Sequence, residues 1–140
     1  MIEHVGARPD QLAHLREIAR VLKDDGIAYL ATPNRWTIVE PHFRLPLLSW
    51  VPEKARTPYV RLARRGKRYD CAPLSRTDLL ELCSHAGLRA SERTLEAIQL
   101  TAEIENVSPL ARRIAEAPSR LHRVLVPLVP AHIFLLRRTG

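Results

Sequence analysis

Glu40-Pro41-His42 is the segment of this 140-residue chain best suited to moving a proton. A neutral imidazole takes up a proton near physiological pH, and a neighbouring carboxylate fixes which ring nitrogen carries the hydrogen. Residues two apart do not meet in an extended chain, so pairing of Glu40 with His42 requires a turn, which Pro41 can supply. The plain alternative is a hydrogen-bonded pair that anchors a loop. Beside it lie apolar residues (Phe43, Leu45, Leu47, Leu48, Trp50, Val51) and then the cations Lys54, Arg56, Arg61, Arg64, Arg65, Lys67 and Arg68. An apolar lid next to a cationic cluster suits a lipid-linked or aromatic small molecule with an anionic group, such as a polyprenyl-linked sugar or a quinone precursor. The same residues equally suit a lid that packs on its own sheet with its arginines in water. Cys71 and Cys83 show no CxxC and no paired metal spacing, so no metal is expected and the setting reads as reduced and cytoplasmic.

The elements that must position these residues follow from periodicity and breakers. Pro9-Asp10 reads as a helix entry, and Leu12, Leu15, Ile18, Ala19 and Leu22 then form one apolar stripe that Gly26 ends. Ile27 to Thr32 is an apolar run without strict alternation, as expected of a strand covered on both faces, and Pro33 stops it. From 34 to 73 no period holds, and prolines 41, 46, 52 and 58 argue against any helix; a loop this long reads as a lid or substrate loop. Ser75-Arg76-Thr77-Asp78 has the form of a capping box, with Leu79, Leu82, Cys83 and Ala86 on one face and Gly87 at the end. Leu88 to about Glu96 is expected as a strand, and Leu95 to Val107 also fits a helix. Residues 97–130 read as a helical insert, with Ser108-Pro109 opening one helix and a second starting near Ser119. Ala131 to Arg138 reads as the final strand.

The net charge of +7 is concentrated. Residues 53–68 hold seven basic groups against one acidic, and 109–140 hold six against one. Basic surface raises the prospect of an anionic partner, yet no nucleic-acid motif accompanies it. The insert's Arg112, Arg113, Arg120 and Arg123 beside Leu110, Ile114, Leu121 and Leu125 could meet a membrane surface peripherally or simply cap the sheet. No apolar run is long enough to span a bilayer, and because Glu3, Arg8 and Asp10 interrupt any apolar run, the N-terminus is not expected to be a signal peptide.

Glu3-His4-Val5, the run Arg20-Val21-Leu22-Lys23-Asp24-Asp25-Gly26, and Ile27 to Asn34 ending in Thr32-Pro33-Asn34 occur in the order and spacing of one known group. They resemble the C-terminal half of class I S-adenosylmethionine-dependent methyltransferases of the ubiquinone-biosynthesis type. The resemblance implies a single, partial α/β domain over 1–140, with three strands of a Rossmann-like sheet and a last, antiparallel strand between the other two. It further implies S-adenosylmethionine as cofactor, methyl transfer to a small-molecule acceptor, and Ile2, Glu3 and His4 near the methionine end of the cofactor. Asn34, Arg35, Trp36 and Arg44 would face the acceptor, with His42 and Glu40 as the catalytic pair. The family's glycine-rich loop and the acidic residue after its second strand would lie upstream of Met1, so the chain is expected to bind cofactor poorly or not at all alone. A non-catalytic basic module, docking on a protein, an anionic membrane or nucleic acid, is the competing expectation.

Overall fold

The computed structural model describes residues 2–40, 42–104, 112–113, 116–118, 121 and 129–140, and within them the chain is α/β. Helix α1 (Arg8–Val21) starts ahead of Asp10, whose carboxylate reaches back to accept the Ala7 backbone N–H at 3.0 Å. Pro9 sits in the first turn, where no helical N–H bond is lost. After a turn closed by Gly26, strand β1 (Ala28–Pro33) follows. A small hairpin comes next, β2 (Val39–Glu40) against β3 (Leu45–Pro46), and then helix α2 (Glu53–Leu62).

Helix α2 departs from the sequence expectation, because Pro58 lies inside it. Pro58 removes a single helical bond, and packing outweighs that loss: Val60 is fully buried with Leu45 and Leu48, and Tyr59 closes over them. Residues 34–73 thus carry a small core of their own. Helix α3 (Arg76–His85) has the expected capping box, with the Ser75 hydroxyl accepting the Asp78 N–H at 3.1 Å and the Asp78 carboxylate accepting the Ser75 N–H at 3.3 Å. Gly87 ends it at φ +73°, a conformation that favours glycine. Strand β4 (Leu88–Glu92) is shorter than expected because helix α4 (Thr94–Ile104) begins at once. The helix starts expected at Ser108 and Ser119 lie outside the described residues. Strand β5 spans Ala131–Arg138.

The sheet order is β1-β5-β4, with β5 central and antiparallel to both neighbours. Phe134 lies opposite Leu30 and Leu136 opposite Ala28 and Ala90, and this face meets α1 and α3 in a core containing Leu15, Leu79, Leu82 and Leu88. Burial of β1 on both faces does not hold among the described residues: Tyr29, pointing away from α1 and α3, is 65% exposed. No described helix is long and apolar enough to cross a membrane.

At the β4–β5 end, the Thr94 hydroxyl accepts the Ile133 N–H at 3.0 Å, and the buried His132 ring lies 3.3 Å from the Glu92 carboxylate. Burial holds His132 below its usual pKa of 6.5, against the opposing pull of Glu92. Below that pH the unfolded chain takes a proton that the native ring resists, so stability falls as pH drops from about 6.5 towards the native pKa. We expect the unfolding free energy to decline over this window more steeply in the wild type than in His132→Gln, by at most about 1.4 kcal/mol per pH unit, with thermal midpoints falling in step. Parallel declines would assign the acid sensitivity to other groups.

Candidate functional site

Three separate segments bring Glu3, His4, His42 and Cys71 to one place. The 3-10 turn Ile2–His4 supplies the first two, the β2–β3 loop supplies His42, and the extended stretch before α3 supplies Cys71. The turn is tied down through its backbone: the Ala72 N–H donates to the Glu3 carbonyl at 2.8 Å. Gln11 on α1, itself buried, donates to the carbonyls of both Ala72 and Ile2.

Glu3 is the unusual member. Its side chain is 0% exposed, and among the described residues neither carboxylate oxygen has a hydrogen-bond partner. Oε1 lies 3.3 Å from His42 Nε2 and 3.8 Å from His4 Nε2, and the two imidazoles meet edge to face at 4.9 Å. On the other side, His4 Nδ1 is 3.8 Å from Cys71 Sγ. Burial, with the negative charges of Glu40, Asp70 and Glu3 nearby, pushes the Cys71 thiol up to about 12, so in this environment it is not a nucleophile at neutral pH.

Cys71 also lines a cleft of about 570 Å³, together with Gln11, Arg35, Trp36, Trp50 and Arg56. Trp36 and Trp50 stand edge to face at 5.6 Å. The Trp50 indole N–H donates to the Thr37 carbonyl, while Arg35 lies 5.8 Å over the Trp36 ring. Arg56 is committed to the fold, donating to the carbonyls of Val51 and Ser49 and packing over Tyr69. Among the described residues Arg35 has no ion pair, which leaves it as a cation for an incoming anion.

The residues expected from the sequence fall into different roles. Arg35 and Trp36 do line the cleft. Asn34 is buried behind them: its side-chain amide donates to the Val129 carbonyl and its oxygen accepts the Trp36 N–H, so it shapes the turn that presents its neighbours. The expected Glu40–His42 pair does not form. The Glu40 carboxylate accepts the Phe43 N–H at 2.6 Å and its carbonyl accepts the Arg44 N–H, closing the hairpin, and Glu3 is the carboxylate that faces His42. Arg44 is exposed at φ +53° on that turn, away from the cleft lining. Ile2 is a core residue at 1% exposure. Cys71 has no spacing signal in the sequence; besides Asp70 next to it, the histidines it meets come from 29 and 67 positions away. A scan against protein-family models, a search of curated proteins and a search of solved structures each find no match to this chain.

Proposed function

We propose that this chain forms the acceptor-binding and proton-accepting side of a Rossmann-like, class I methyltransferase fold, acting on a small aromatic or lipid-linked molecule that bears an anionic group. The observation that carries this reading is the junction at Cys71 between a Trp–Arg cleft and a histidine cluster backed by a buried carboxylate. The central, antiparallel β5 agrees with the strand arrangement that the resemblance implies.

The residues present suit the acceptor and not the cofactor. Of the three expected at the methionine end, Ile2 is packed in the core, Glu3 is wholly buried, and only His4 reaches solvent. The five glycines stand at 6, 26, 66, 87 and 140, too far apart for a loop that cradles a carboxylate or phosphate. S-adenosylmethionine would supply an activated methyl group; this chain would supply the rest. Trp36 and Trp50, in edge-to-face contact with each other and each about half exposed, would flank a planar ring laid against them. Arg35 would meet its anionic group, and the Glu3–His42 pair would take the proton of its hydroxyl.

The test is label transfer from methyl-tritiated S-adenosylmethionine, at millimolar cofactor, to phenolic carboxylic acids. We expect slow transfer that is lost in His42→Ala. Absence of transfer, with the aromatic acids still quenching the two tryptophans, would overturn the enzymatic reading and leave a binding module.

A further inference from the structure

We infer that His4, His42 and Cys71 form a binding site for a zinc-class divalent ion, with Glu3 as the carboxylate behind the imidazoles. One ring nitrogen from each histidine and the Cys71 sulfur all lie within 4.8 Å of one another. A tetrahedral ion with Zn–N of about 2.0–2.1 Å and Zn–S of about 2.3 Å holds its nitrogen and sulfur ligands roughly 3.6 Å apart. The observed 3.8 Å between His4 Nδ1 and Cys71 Sγ is close to that separation. Two imidazoles and a thiolate select zinc or cobalt over magnesium or calcium, which prefer oxygen.

The second observation is Glu3. A carboxylate that is 0% exposed and, among the described residues, lacks a hydrogen-bond donor is costly unless a positive charge faces it. Its Oε1 faces Nε2 of His4 while Nδ1 of the same ring faces the sulfur. At 3.8 Å from Oε1 the ring does not donate to Glu3, but it stands in the orientation of a metal-bound histidine, whose one nitrogen meets the ion and whose other N–H points to a carboxylate. An ion here therefore answers both the clustering of ligands and the unpartnered acid. Its arrival displaces the thiol proton to solvent, because the thiolate is the ligand. His4 and His42 are solvent-accessible, which gives the ion a path in.

Three protein ligands leave a fourth position for water or a hydroxyl. Cys71 places that position beside the cleft. The inference concerns the same cluster as the proposed proton acceptor but rests on side-chain geometry alone. With the ion bound, His42 is a ligand, and the ion acidifies the bound hydroxyl in its place.

The test uses the tag-free chain, stripped of metal and titrated with Co²⁺. We expect one equivalent to produce tetrahedral d–d bands and a thiolate-to-cobalt charge-transfer band in the near ultraviolet, both displaced by Zn²⁺. Cys71→Ser should abolish the charge-transfer band, while Cys83→Ala, altering a core thiol, should leave it. Glu3→Gln should weaken cobalt binding by about 10–100-fold with the band retained at saturation. Circular dichroism checks that each variant is folded. A wild-type spectrum without a thiolate band, or a band that survives Cys71→Ser, overturns the site. Failure of methyl transfer would leave these spectra unchanged, so the two readings fail separately.

Discussion

Phe134→Ala is expected to destabilise the protein by about 3–5 kcal/mol, the range for deleting a fully buried aromatic side chain. Phe134 is 0% exposed on the central strand, between Leu30 of β1 and Glu92 of β4, and belongs to the cluster that joins the sheet to α1 and α3. The cavity would open where both edge strands depend on β5 for pairing, since β1 and β4 make no ladder with each other. Against a total of about 5–15 kcal/mol for a domain, that loss is a third or more. Urea unfolding followed by far-ultraviolet circular dichroism should show a lower midpoint at an unchanged slope. Tyr29→Ser is the control: the side chain is 65% exposed, so a change within about 0.5 kcal/mol is expected. Comparable losses in the two variants would mean that the face turned away from α1 and α3 is covered in solution.

α1, β1, α3, β4 and β5 were legible because local chemistry decides them. Ser75 and Asp78 cap α3 through bonds that two residues three apart make by themselves, and Gly87 ends that helix by conformation alone. β5 was legible from Ala131 to Arg138 as a short, mostly apolar run after Pro130, and in the structure its burial alternates, with His132, Phe134 and Leu136 buried. Where tertiary contacts outweigh local preference, the reading failed. Pro58 argued against a helix that packing of Val60 against Leu45 and Leu48 maintains. The site was half legible for the same reason. Arg35 and Trp36 follow a recognisable strand end, so their place at a cleft could be inferred. Glu40 and His42 are neighbours in sequence and were paired on that basis, but the turn uses Glu40 for its own N–H groups. The carboxylate that faces His42 comes from 39 positions earlier, and Cys71 from 29 later. No spacing rule reports such meetings, which only the folded chain creates.

If the chain transfers methyl as proposed, Glu3→Gln is expected to reduce that transfer by about 10²–10⁴-fold, the usual contribution of a positioned acid–base group, while leaving the fold intact or more stable. The two effects separate because Glu3 costs the native state rather than supporting it: a wholly buried carboxylate without a donor among the described residues is replaced by a neutral amide of the same shape. Its value lies in the 3.3 Å approach to His42 Nε2, which sets the imidazole's proton and orientation whether that ring acts as base or as ligand. His42→Ala should produce a loss of the same size. The double variant should be no worse than the weaker single variant, since groups that act as one unit are not additive. Label transfer and urea midpoints measured on all four proteins give the cycle. If the losses multiply, Glu3 and His42 act independently and the pair is not a unit. If Glu3→Gln instead unfolds the protein while its residual folded fraction transfers methyl at the wild-type rate, the carboxylate is a structural charge, and the catalytic role fails with it.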